Sequence, residues 1–112
     1  MTPDDRSEGL LEDLERTLAT AEGLVTRGRS AFDDDVAIRL AFEALSNRVG
    51  EVTKQLVLLD PARFFEPDWS FASRHRDKIV HHYDSISLDM LWSTATISFP
   101  RLRALTRQKW AR

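Results

Sequence analysis

Ile-Arg-Leu-Ala-Phe-Glu-Ala-Leu-Ser-Asn-Arg-Val-Gly-Glu-Val-Thr-Lys-Gln-Leu, residues 38–56, decides the fold. Its apolar side chains, Ile38, Ala41, Phe42, Leu45, Val49, Val52 and Leu56, recur at intervals of three and four, the repeat of a helix with one buried face. Gly50 interrupts this run at a helix cost of about 1 kcal/mol, which a close approach by another helix would justify. Outward from it the same spacing returns. Toward the N-terminus, Leu10, Leu11, Leu14, Leu18, Ala21 and Val25 define a first helix, with Thr2, Pro3 and Asp5 as cap and first turn and Gly28 in the connection that ends it. The second helix is expected after Ser30. Residues 59–68 carry two prolines and read as a connector with a short turn. Asp68 is then expected to cap a third helix from about Trp69 to Tyr83. Ser87 caps a fourth, with Leu88, Leu91, Ala95, Phe99, Leu102 and Leu105 on one side and a kink expected at Pro100. No segment alternates with period two, so the fold expected is an all-α bundle of four main helices. It forms one domain over residues 1–112, in which 107–112 are expected to be a flexible tail.

The composition is that of a soluble globular chain, without low-complexity tracts or repeats. A domain of this size has a modest core, and oligomerisation would add to it. The absence of cysteine excludes disulfides, thiolate metal sites and cysteine nucleophiles. The first residues lack an apolar signal segment and no apolar run reaches membrane-spanning length, so a cytoplasmic location with no membrane partner is expected. The net charge of −2 hides a separation. Residues 1–35 carry ten acids against four arginines, whereas residues 74–112 carry Arg74, Arg76, Lys78, Arg101, Arg103, Arg107, Lys109 and Arg112 against three aspartates, which makes the C-terminal end basic. The basic end could face an anion such as a nucleic-acid backbone.

Chemistry concentrates in Arg-His-Arg-Asp-Lys-Ile-Val-His-His-Tyr, residues 74–83, which holds all three histidines and the one tyrosine. Histidine titrates near neutrality, and arginine presents a charged planar fork that matches phosphate oxygens, so the pairing suggests work on a phosphodiester. At about 100° per residue, Asp77 and His81 share a helix face one turn apart, while Arg76 and His81 point about 140° apart. Such a pair could flank a groove or meet across a symmetric interface. A polar helix end with no chemistry is the plain alternative. His75, His81 and His82 lack the i, i+4 spacing of a helical metal site, and neither a nucleophile elbow nor a phosphate-binding glycine loop is present. A DNA-reading domain is disfavoured because no short helix-turn-helix connection occurs.

Arg76-Asp77-x3-His81-x-Tyr83 resembles the Arg-x4-His-x-Tyr signature of HepT-like toxins in the HEPN superfamily. Arg39-Leu40-Ala41, Glu43 and Gly50-Glu51-x2-Lys54 resemble that family's second-helix pattern, and Trp69, Ile86, Leu88, Trp92 and Pro100-x-Leu102 extend the similarity over residues 10–106. The superfamily's wider spacing also admits Arg74 with His81, or Arg76 with His82; Tyr83 favours Arg76 with His81. Asp77 stands where asparagine is common in these toxins, and Arg74 and His75 where small or apolar residues are usual.

The resemblance implies a HEPN-type helical bundle that forms a homodimer, with signatures from both protomers lining one cleft that cuts RNA without metal or cofactor. It assigns His81 as general base or acid, Arg76 as the group that stabilises the charged phosphorane, and Asp77 as the residue that orients His81 or Arg76. Arg74, Lys78 and His82 would guide the RNA, a tRNA or mRNA, together with the basic C-terminal helix. The implied partner is an MNT-like nucleotidyltransferase antitoxin, with Tyr83 as acceptor of its AMP groups. The alternative function is a non-catalytic helical subunit, the binding partner or substrate of that transferase.

Overall fold

The computed structural model describes residues 2–81 and 87–110, and all of its regular structure there is helical. Helix α1, Pro3–Val25, starts from a reciprocal cap in which the Thr2 hydroxyl accepts from the Asp5 N–H at 3.1 Å and the Asp5 carboxylate accepts from the Thr2 N–H at 3.3 Å. Gly28, at φ 87°, turns the chain into the short helix α2, Gly28–Asp34. The single helix expected after Ser30 is therefore divided. Asp35 is extended, closes α2 through its N–H to the Ala31 carbonyl, and caps α3, Val36–Leu59, by accepting from the Ala37 N–H at 2.9 Å. Three successive aspartates favour such a break, because a carboxylate that can bond nearby backbone N–H groups is more favourable at a cap than in a helix interior. Phe32 makes α2 part of the core by packing on Phe42 and Trp92 at ring distances of 6.0 and 5.4 Å.

The connector at 60–66 contains one turn, closed by the Arg63 and Phe64 N–H groups on the Asp60 carbonyl. Helix α4, Pro67–His81, begins two residues earlier than expected, so Asp68 lies in its first turn rather than at its cap. Its start is fixed by Trp69, fully buried, whose ring N–H donates to Glu66 at 2.8 Å and whose ring packs T-shaped on Phe64 at 5.1 Å. Ser87 caps helix α5, Leu88–Ser93, by accepting from the Met90 N–H at 3.0 Å. Winding then widens to a π-helical segment, Thr94–Ser98, closed by the Phe99 N–H on the Thr94 carbonyl, before α6, Phe99–Trp110.

This widening settles the expected irregularity near Pro100 and keeps the core face in phase. Leu91, Ala95 and Phe99 follow one another at intervals of four, which on an α-helix would rotate them by about 80° in all. One extra residue in the wide turn removes that drift, and all three stay buried. Helix α6 continues through Trp110 and so includes residues 107–110, which the sequence assigns to a tail.

Helix α1 packs against α3 and α6, and α3 packs antiparallel to α4, while α4 touches α6 only lightly. The core between them contains Leu11, Leu14, Leu18, Phe42, Val49, Leu56, Trp69, Ala95 and Leu102. Leu10, Leu45, Val25 and Leu105 are only partly buried, and Ala41 is exposed. No helix among the described residues is long and apolar enough to cross a membrane.

Candidate active site at the α3–α4 contact

Helices α3 and α4 come closest at Gly50. A Cβ added there would lie 2.1 Å from Arg76 Cβ, 2.7 Å from Arg76 Cγ and 2.9 Å from the Ala72 carbonyl oxygen. The arginine side chain therefore rests on bare glycine backbone, the close approach that the glycine's position in the sequence predicts. From there its guanidinium is held on three sides. Nε donates to Asn47 Oδ1 at 2.9 Å, Nη1 to Asp77 Oδ1 at 3.1 Å and Nη2 to Glu51 Oε2 at 3.4 Å.

Asn47, Gly50 and Glu51 have the i, i+3, i+4 spacing that puts three residues on one helix face. That face forms a clamp on Arg76. A guanidinium has five N–H donors, so these bonds leave one N–H on each Nη for an anion. The side chain of Arg76 is 25% exposed, enough to be reached. Asp77 pairs with Arg76, one of the two roles open to it from the sequence.

Of the three histidines, His75 is the one whose side chain the structure describes. His75 is buried at 4% exposure, its ring lies nearly parallel to Phe71 at 6.1 Å, and its Nε2 has no hydrogen-bond partner among the described residues. Burial pushes its imidazole down to about 4, with the charge of Lys78 adding to the effect, so it is neutral at physiological pH. The backbone of α4 extends to His81, one turn past Asp77, but the His81 side chain lies outside the described residues. So do His82 and Tyr83. Ile79, near this end of the helix, is buried.

Arg74 and Lys78 are exposed and make no ion pair among the described residues. The basic C-terminal helix is different. Arg103 binds Glu15 at 2.9 Å and Glu22 at 2.6 Å, Arg107 binds Glu15 at 3.1 Å, Lys109 binds Glu66 at 2.9 Å, and Arg101 lies 3.7 Å from Asp68. The charge separation seen along the chain is largely neutralised where α1 and α6 meet, which corrects the expectation that α6 offers a free basic face to RNA. Asn47 is the site residue that the sequence reading missed. Its only signal was its spacing from Gly50 and Glu51, which becomes meaningful once Arg76 is known to lie on the glycine.

No group of three or more His, Cys, Asp or Glu residues suited to a metal ion occurs among the described residues. A family model described as HepT-like, ribonuclease HepT-like, matches residues 11–108. Neither the curated proteins nor the solved structures contain a match to the chain.

Proposed function

We propose, from the premise that this chain belongs to the ribonuclease HepT-like family, that it is the toxin of a toxin–antitoxin pair and a metal-independent endoribonuclease. Its active site would be completed by a second copy of the chain, each protomer contributing Arg76 and His81 to one cleft. In the reaction, His81 of one protomer takes the proton of a ribose 2'-hydroxyl, and the freed oxygen attacks the adjacent phosphorus. The bond from phosphorus to the 5' oxygen then breaks, and that oxygen takes a proton from the protonated histidine of the site. The products are a 2',3'-cyclic phosphate and a 5'-hydroxyl end.

The observation that carries this reading is the fixed Arg76, with one N–H on each Nη left to meet the phosphorane oxygens. A donor held in advance stabilises developing charge without reorganising during the reaction. Asp77 orients the arginine, and Arg74, Lys78 and His82 guide the RNA. The partner is an MNT-like nucleotidyltransferase antitoxin that adds AMP to Tyr83. The added phosphates would place negative charge beside Arg76 and block the RNA path.

A second reading, a non-catalytic subunit that binds the transferase, draws support from the two carboxylates on Arg76, which offset its charge. One experiment separates the two. Purified protein and His81→Ala are incubated with a labelled RNA pool in EDTA, and the intact mass of each preparation is recorded. Cleavage that persists in EDTA and is lost in the variant supports the ribonuclease; no cleavage by protein of unmodified mass supports the binding subunit. Mass added on co-expression with the transferase and absent in Tyr83→Phe identifies the acceptor.

A further inference from the structure

Beside the Arg76 clamp, α3 and α4 enclose a second feature. A groove of about 200 Å³ runs along the same helix contact, with Lys54 on one wall, Arg74 and Ser73 on the other, and Val57 and Leu58 along its apolar side. Lys54 lies one turn beyond Gly50 and Glu51 on α3, and Arg74 lies just under one turn before Asp77 on α4. The groove therefore lies about one helical turn from the clamp along both helices.

Resting on the ribonuclease reading, we propose that this groove is a subsite for single-stranded RNA next to the scissile bond. Lys54 and Arg74 bind a flanking phosphodiester, and Leu58 with Val57 carries its base. Charge supports this occupant. Arg29, Arg48, Arg63, Arg103 and Lys109 all pair with carboxylates, whereas Lys54 and Arg74 make no ion pair among the described residues, and both are exposed. Two uncompensated cations and a serine lining the same groove suit a phosphate. Leu58, 75% exposed at the edge of the groove, gives a nucleobase an apolar face, and that mode of contact tolerates any sequence. The clamp at Arg76 carries two carboxylates, so attraction of the RNA strand falls to the neighbouring groove while Arg76 acts on the reacting phosphate.

The test compares wild type with a Lys54→Ala, Arg74→Ala double variant, using a dinucleotide that has only the scissile phosphodiester and a longer oligonucleotide, over a range of salt concentrations. With the long substrate, KM should rise, and the slope of log(kcat/KM) against log salt should become shallower by about 0.7, the effect of one lost phosphate contact on a single strand. Lys54→Arg, Arg74→Lys should restore the long-substrate behaviour, and the dinucleotide, which has no flanking phosphodiester, should lose less in the double variant than the long substrate does. Leu58→Ser should raise KM for the long substrate and leave the salt slope as in wild type. Equal salt slopes in wild type and double variant overturn the subsite. So does a change in oligomeric state by light scattering, which would make the groove an interface between copies. If wild type does not cleave RNA, the ribonuclease reading fails, and fluorescence anisotropy of the same labelled oligonucleotide still decides on the groove. Binding lost in the double variant supports it, and equal or absent binding overturns it.

Discussion

Gly50→Ala isolates the contact on which the site is built. The new methyl carbon would lie 2.1 Å from Arg76 Cβ and 2.9 Å from the Ala72 carbonyl oxygen, and neither atom can swing away as the end of a side chain could. Ordinary contact requires α4 to retreat from α3 by on the order of 1 Å. Overpacking of this kind costs about 1–3 kcal/mol, and replacing glycine by alanine in a helix returns about 1 kcal/mol. Because the clash is with the framework of the neighbouring helix, the upper part of the range applies. The expected net loss is about 2 kcal/mol, a fall in Tm of about 8 °C for a chain of this size. The same retreat moves the Arg76 guanidinium away from Asn47 and Glu51, and a misplacement of about 1 Å can lower a rate by about 100-fold. Gly9 and Gly23 on α1 provide the internal control, since an added Cβ meets nothing within 4 Å at either position. Alanine there should raise stability by up to about 1 kcal/mol and leave cleavage unchanged. Thermal unfolding followed by circular dichroism, with RNA cleavage on the same preparations, reads both effects. A Gly50→Ala protein that melts at or above wild type and cleaves at the wild-type rate would refute the close-contact argument.

His75 predicts an acid-dependent loss of stability. The unfolded chain protonates this imidazole near its ordinary value of 6.5 and the folded chain only at about 4, so the folded state binds fewer protons between them. The contribution is complete above 6.5 and is lost as pH falls toward 4, by at most about 1.4 kcal/mol per pH unit; urea unfolding of His75→Phe over that range should lack this component. Arg103→Ala should cost about 1.5–3 kcal/mol in the same assay, because it breaks charged hydrogen bonds to Glu15 and Glu22 and leaves Glu15 half-paired. Arg16→Ala, whose pair with Glu12 is solvent-exposed, should change stability by less than about 0.5 kcal/mol. Ser87→Ala should cost about 1 kcal/mol through loss of the bond from the Met90 N–H.

The helices were legible because apolar residues at intervals of three and four mark a buried face locally, and the caps at Thr2 and Ser87 rest on residues within three positions of each other. Gly50 was legible as a close contact because glycine in the middle of a strong helix needs a reason, although its partner Arg76 is far away in the sequence. Features that depend on distant residues were hidden. The pairing of Arg103 and Arg107 with α1 turns two opposed charge runs into one internal network, and no local pattern announces it. His75 lies in a polar run, yet a single helix position beside Phe71 buries it. Asp35 ends one helix through its backbone N–H and starts another through its side chain, a choice that the surrounding apolar repeat does not encode.

The π-helical segment makes the last helix tolerant of a length change that other helices would not accept. Elsewhere, deleting one residue from a packed helix rotates everything beyond it by about 100° and draws it back by about 1.5 Å, which would pull Leu102 and Arg103 off their partners. Between Thr94 and Ser98 the chain already holds one residue more than an α-helix needs. Removing the exposed Ile97, together with Pro100→Ala to restore the N–H that a regular helix requires, would let the segment close as ordinary α-helix with Leu91 and Leu102 still facing the core. A shortened chain of this kind would therefore keep the α1–α6 ion pairs intact, so the segment marks a place where the last helix can lose a residue without losing register.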